Sequence, residues 1–579
     1  MTGFQCHALR NEKIFSFFAK MSSILVLIIL LIIFLTLFYR ALPAINEFGL
    51  GFLFDSTLDV ANKRLGGAAA IFGTIVSTFI AMLLATPVAI GIAIFLTEIA
   101  PFRVRTFFSV NIELLAAIPS IVYGMWGFLY FVPFVQKLFE GTGLGLLTGG
   151  LVLSIMILPF IASVTRDSME TTPSILKESA YALGATKFDV IKNVIFPYAK
   201  AGIIGSIILA LGRAFGETMA VAFLLGGISV IPGNISDPAT SIPVTLALQF
   251  GEAMGMPVYE SSMYYLALIL FVISFITIAV AKFALLRKKK GNKMSDKFIA
   301  IREKAAAKRV RTNKIVNYVS IFFAVLGLFF LVWIMVTLIV KGIAGFSSSI
   351  FIDDTVFGGL RNALIGHTIL VGIASIIGIP IGLMAGTYLS EYGGANDRKS
   401  NFIRNMSDIM MSTPSIVIGA FIYAVVVSPF GSYNGFAGAL ALAVMMIPVV
   451  LKTTDDMLTL VPQSLREAAF ALGAPKYKVT MQIVFRAAKN GILTGVVLAV
   501  ARVSGETAPL LFTSGAWDFL TLNPFGPMPS LTNTIYEFTQ SPDADLNSVA
   551  WAGAFLLAVV VLGVNIIGRI LIKTKKNKG

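Results

Sequence analysis

The chain has 579 residues, of which 57% are apolar and 13% charged, with a mean hydropathy of +0.86. Soluble globular chains run nearer ~45–50% apolar and ~25% charged, so a water-soluble enzyme, a disordered chain and a disulfide scaffold are excluded. The net charge is +15, with one cysteine, Cys6, and two histidines, His7 and His367, so neither a disulfide nor a Cys/His metal cluster is expected.

In chain order, apolar segments centred on 21–42, 71–96, 112–135, 146–165, 202–228, 262–286, 315–340, 365–390, 409–428, 434–451, 491–512 and 549–572 predict about twelve transmembrane helices. The expected fold is an all-α polytopic membrane protein. The first apolar run, Ile24 to Tyr39, is longer than a signal-peptide core and reads as a retained helix. Segments 229–260 and 515–547 hold no Lys or Arg, whereas 98–110, 166–200, 391–404 and 452–489 carry most of the loop cations. The positive-inside rule then places both termini on the cytoplasmic side. Arg287–Lys314 carries twelve Lys/Arg against Asp296 and Glu303, a net +10. Attraction to anionic lipid accounts for this run without nucleic acid.

The chain is an internal duplication. Glu178–Glu217 aligns with Glu467–Glu506 at an offset of 289 without gaps, with 18 of 40 positions identical. Pro119 and Pro414 each open a Pro-Ser-Ile-Val run, and Pro87 and Glu98 match Pro380 and Glu391 at an offset of 293. The expected domains are a permease half at 1–286, a basic cytoplasmic linker at 287–314 and a second half at 315–579. About six spans in each half give two parallel repeats, not an inverted pair.

After the fourth span of each half the sequence predicts a short helix on the cytoplasmic side. Thr172 reads as its N-cap with Pro173 as the first helical residue, and Gly184 as its left-handed stop. Leu176, Ala180 and Leu183 fall on one predicted face, and Thr186 with Asp189 is a start signal for the next helix. The second half repeats this around Glu467, Ala469 and Gly473, with Pro475 starting the next helix. Two copies of one stopped amphipathic helix point to docking of a cytoplasmic partner. Arg213, Glu217, Arg502 and Glu506 lie in the fifth spans, where a charge costs ~2.5–3.5 kcal/mol and needs a reason. The four-residue spacing predicts each Arg–Glu pair on one helix face, either as a self-neutralised pair or as donors to an oxyanion. Glu98, Glu391, Glu113 and Asp408 read as caps or contacts to neighbouring loops, and Gly202, Gly216, Gly491 and Gly505 as close-packing positions.

Glu178-Ser-Ala…Gly184 and Glu467-Ala-Ala…Gly473 resemble the EAA loops of ABC-importer permeases. Gly212-Arg-Ala-Phe-Gly-Glu-Thr218 and Arg502-Val-Ser-Gly-Glu-Thr507, with the runs ending at Glu98 and Glu391, resemble the phosphate-specific permeases PstC (first half) and PstA (second half). Phe196-Pro197 keeps a pattern of that family which Phe485-Arg486 does not. The resemblance implies the ABC-importer permease fold, import of inorganic phosphate, delivery by an extracytoplasmic binding protein, and a pathway at Arg213, Glu217, Arg502 and Glu506. It also implies coupling to a dimeric ATPase through Glu178, Ala180, Gly184, Glu467, Ala469 and Gly473. The chain has no Gly-x-x-x-x-Gly-Lys-[Ser/Thr] loop, so no cofactor is expected in it, and ATP with magnesium belongs to the separate ATPase. The residues alone leave two other readings open: a permease for molybdate or sulfate, and a proton-coupled secondary transporter.

Overall fold

The computed structural model describes residues 3–59, 64–116, 118–139, 141–287, 306–394 and 397–573. Besides the short turns Lys187–Val190 and Met219–Ala222, the helices of the first half are α1 (Gly3–Phe48), α2 (Ala68–Ile94), α3 (Phe102–Ala116), α4 (Ser120–Phe139), α5 (Leu146–Glu170), α6 (Ser174–Ala182), α7 (Phe196–Gly216), α8 (Ile242–Ala253) and α9 (Pro257–Arg287). The second half contributes α10 (Ala306–Ala344), α11 (Arg361–Thr387), α12 (Arg398–Met411), α13 (Ser415–Ile422), α14 (Gly435–Thr459), α15 (Gln463–Ala471), α16 (Phe485–Ser504), α17 (Leu531–Gln540) and α18 (Ala544–Lys573). Of the expected linker, 288–305 lies outside the described residues, and Ala306–Lys314 begins α10.

Among the described residues, eleven helices are long and apolar enough to cross a membrane, and a bent pair would make twelve. That pair is Arg398–Met411 with Ser415–Phe430, bent by 95°. The bounds expected at 112–135 and 409–428 shift accordingly: the first span begins at Ser120 in α4, and the second is broken where α12 ends at Met411 and α13 begins at Ser415. Pro119 and Pro414 explain both starts, since proline brings no N–H to the helical ladder and pushes the preceding residue out of the α region.

Packing divides the chain into two compact units that cut across the sequence halves. One comprises Met1–Gly49, Gln249–Phe271 and Lys341–Gly579, and the other Leu50–Leu248 with Val272–Val340. Helix α1 thus packs with second-half elements. It buries a stripe at Ala19, Val26, Leu30, Ile33, Leu37, Ala41 and Ala44, while Leu31, Leu35 and Phe38 stay exposed, as suits a helix with one protein-facing side and the rest in lipid. Ser23 Oγ donates to the Ala385 carbonyl at 3.1 Å, and Arg40 Nη2 to the Ala424 carbonyl at 3.2 Å.

In the other unit α10 packs with first-half elements. Its Phe323 ring lies where a Cβ on Gly91 would come within 2.4 Å, and Trp333 meets Trp126 edge-on with centroids 5.1 Å apart. The duplication extends to fine detail. A Cβ on Gly73 would lie 1.7 Å from the Thr240 carbonyl oxygen, and one on Gly366 would lie 2.3 Å from that of Pro529. Only glycine admits a loop backbone this close. Single π-helical turns follow α2 and α11, at Phe95–Ile99 and Tyr388–Tyr392, and precede α7 and α16, at Ile191–Ile195 and Val479–Val484.

Candidate functional site

The two candidate docking helices, α6 and α15, have the same construction. Pro173 and Pro462 occupy the N-cap positions with extended ψ values of 136° and 138°. The expected cap at Thr172 is thus corrected: proline at the N-cap moves the helix start to Ser174, and Thr172 Oγ1 is buried without a hydrogen-bond partner among the described residues. Both helices stop as expected, at Gly184 (φ +78°) and Gly473 (φ +76°). The Ala185 N–H donates to the Ala180 carbonyl at 3.1 Å and the Ala474 N–H to that of Ala469 at 3.3 Å, closing the left-handed motif. Thr186 and Asp189 form the expected capping box of the next helix. Pro475 stands at the N-cap of the equivalent helix, without a side-chain cap.

The expected apolar face is split. Ala180 is 6% exposed, but Leu183 is 78% and Leu472 89% exposed, with Ile175, Leu465 and Phe470 also turned outward. Glu98 and Glu391, expected as caps or contacts to neighbouring loops, make such contacts, and their ion pairs fix how the helices are turned. Lys177 Nζ lies 2.7 Å from Glu98 Oε1, and Arg466 Nη2 lies 2.7 Å from Glu391 Oε1. Lys187 Nζ also donates to the Glu98 carbonyl at 2.7 Å, and Arg466 Nη2 to that of Leu458 at 2.8 Å. Glu98 and Glu391 are 8% and 5% exposed. Each therefore holds its cation against the π turn that ends α2 or α11, and the alanine on that side packs inward. Glu178 and Glu467 stay exposed beside the leucines. Asp408 meets Lys452 at 4.0 Å, a loose contact, and the Glu113 side chain lies outside the described residues.

The fifth spans differ from expectation. Helix α7 ends at Gly216, and Glu217 is extended (φ −71°, ψ 127°), its Oε1 accepting from the Ala220 N–H at 3.4 Å. Helix α16 ends at Ser504, with Gly505 as its cap and Glu506 beyond it. The single continuous helical face expected for each Arg–Glu spacing is thereby corrected, because glycine, the weakest helix former after proline, ends each helix before its glutamate. Arg502 Nη2 donates to the Met411 carbonyl at 3.4 Å, at the last turn of α12 beside the 95° break, where a cation complements the helix C-terminus. Glu506 is tied through its carbonyl, which accepts from Thr532 Oγ1 at 3.1 Å. Gly202 and Gly491 are close-packing positions: a Cβ would lie 2.1 Å from Ser168 Oγ and 2.2 Å from Met457 Sδ respectively.

Two groups near this region were not legible in the sequence. His367 is buried on α11, its Nε2 3.0 Å from the Ser504 carbonyl that ends α16 and its Nδ1 without a partner among the described residues. A lone histidine in an apolar run gives no signal of such a tie. On the opposite side from the docking helix in this unit, Asp354 accepts from Arg361 Nε at 2.9 Å and from the Leu520 N–H at 3.0 Å. These bonds, led by that from Arg361, hold the carboxyl below its ordinary value of 3.8.

The family described as "Binding-protein-dependent transport system inner membrane component" matches twice, over residues 89–291 and 378–577, together more than half of the chain. The chain is 50% identical over 268 residues to the phosphate transport system permease protein PstA of Haemophilus influenzae, which takes in 46% of this chain and 95% of that protein. It is 43% identical over 297 residues to the phosphate transport system permease protein PstC of Mesorhizobium japonicum, taking in 48% of this chain and 90% of that protein. A chain of the MetNI methionine ABC transporter aligns over 38% of this one with a TM-score of 0.30 and 21% identity, a likeness too small to bear on function.

Proposed function

The chain belongs to the binding-protein-dependent transport inner-membrane component family, as a multi-pass membrane protein with two copies of the family's domain, and from this premise we propose that it supplies both permease halves of an ATP-driven importer of inorganic phosphate. The observation that carries the reading is the duplicated docking helix. Leu183 and Leu472 stand exposed beside Glu178 and Glu467 at the same offset of 289, each helix seated on a buried carboxylate. A separate ATPase, expected as a dimer that binds ATP and magnesium, would grip both helices. Its closure would push them against Glu98 and Glu391 at the ends of α2 and α11. A rigid ion-paired seat transmits such a push where a flexible loop would absorb it.

Phosphate as cargo is supported by the PstA and PstC relatives and by the chemistry of Arg213 and Arg502. A guanidinium offers a tetrahedral oxyanion a planar fork of donors. Glu217 and Glu506, each freed from the helix by a glycine, keep the empty path near neutral. In this reading both termini lie in the cytoplasm, and 229–260 with 515–547, which hold no Lys or Arg, face the binding protein outside. The test is reconstitution in liposomes with the cognate ATPase and binding protein. Phosphate uptake should need ATP and the binding protein and survive collapse of the proton gradient. Uptake of molybdate or sulfate in preference to phosphate would replace the cargo, and uptake without ATP would overturn the reading.

A further inference from the structure

Beside the α15 seat lies a contact that neither the docking helices nor the charged path uses. Glu12, near the start of α1, accepts from the Tyr392 hydroxyl through Oε1 at 2.8 Å and from the Tyr477 N–H through Oε2 at 2.6 Å. Tyr477 lies two residues beyond Pro475, at the start of the helix that leaves the docking loop and has no cap of its own. Lys476 Nζ stands 4.4 Å from the Tyr392 ring centroid, and Glu391, the residue before Tyr392, holds Arg466 of α15. One π turn thus grips the docking helix with one residue and, with the next, the carboxylate that caps the following helix.

The other unit repeats the contact with different chemistry. Asn313 of α10 accepts from the Phe188 N–H through Oδ1 at 3.0 Å. Phe188 corresponds to Tyr477, since 477 − 188 = 289, the offset of the duplication. Thr186 and Asp189 satisfy each other's backbone N–H groups there, and Asn313 takes the donor between them. Helices α1 and α10 are the first helices of the two halves, and each packs in the unit that holds the other half's docking loop. The first helix of each half therefore caps the other half's elbow, by a carboxylate in one unit and an amide in the other. An incidental surface contact would not recur at equivalent residues.

We infer that Glu12 and Asn313 are positioning residues for coupling: each latches a docking loop to the first helix of the opposite sequence half, so that a push on either loop moves elements of both halves. The inference rests on the coupling reading above. The test uses the full complex with Glu12→Ala, Glu12→Gln, Asn313→Ala and the double alanine variant. Phosphate transported per ATP hydrolysed is measured together with amide exchange at Tyr477 and Phe188, normalised to assembled complex. Glu12→Ala should speed exchange at Tyr477 by about fivefold, the scale of a lost helix cap, and lower the transport ratio, with the double variant worse. Glu12→Gln keeps an acceptor oxygen and should restore most of both. Faster exchange with an unchanged ratio would make the contact structural only, and unchanged exchange and ratio would remove the latch; either overturns the inference while the coupling reading stands. An unmodified complex without ATP-driven phosphate uptake would overturn the coupling reading itself, and the latch role with it.

Discussion

At Glu98 and Glu391 a buried carboxylate decides how a nine-residue helix is turned. Glu391→Gln strands the Arg466 guanidinium, and breaking a buried pair from one side costs about 3–5 kcal/mol. Limited proteolysis should find the 459–475 loop newly susceptible, and adding Arg466→Gln should partly relieve the defect; equal protection in Glu391→Gln and the unmodified protein would contradict the seat. At Arg213 and Arg502, lysine keeps the charge but loses the fork. Both Arg→Lys variants should assemble normally yet take up less phosphate, and wild-type uptake in each would exclude a donor role. Titration bears on one carboxyl outside the spans. Asp354 is held below 3.8, so its stabilisation is complete above that value and is lost as pH falls through the lower folded value. Asp354→Asn should therefore lower the thermal midpoint at neutral pH; an unchanged or higher midpoint would refute the assignment.

At the scale of elements, the docking helices depend on where they stop. Gly184 and Gly473 sit at φ +78° and +76°, where a side chain costs roughly 1–2 kcal/mol. Gly184→Val with Gly473→Val should leave ATPase association measurable but lower phosphate transported per ATP; an unchanged ratio would show that the stop is not needed. The stop was legible in the sequence because the left-handed requirement selects a residue type. The rotation was not, because Leu176, Ala180 and Leu183 share a helical face whichever way that face is turned, and only the pull on Lys177 and Arg466 turns it. The ends of α7 and α16 teach the same lesson. Arg–x–x–x–Glu spacing implies one face only while the helix continues, and Gly216 and Gly505 end it first.

For the whole molecule, the orientation can be tested directly. With Cys6 replaced by serine, cysteines at Asn234 and Asp545 should react with an impermeant thiol reagent added to intact cells. Labelling only after permeabilisation would invert the assigned sides. By itself the sequence determined the membrane class, the approximate span count, the duplication, the docking-loop stops and the phosphate-permease resemblance. Each is a local or periodic signal: apolar length, repeated residues at a fixed offset, glycine where φ is positive. The tertiary structure decided which helices pack together, that α1 and α10 join units made mostly of the opposite half, and that Glu12 and Asn313 cap a partner's elbow. Glu12 and Tyr477 are 465 residues apart, and nothing in an amphipathic or apolar pattern says which distant surface will cover it. A lipid-facing helix buries its stripe equally well against either half, so the choice rests on packing and a few hydrogen bonds that exist only once the chain is folded.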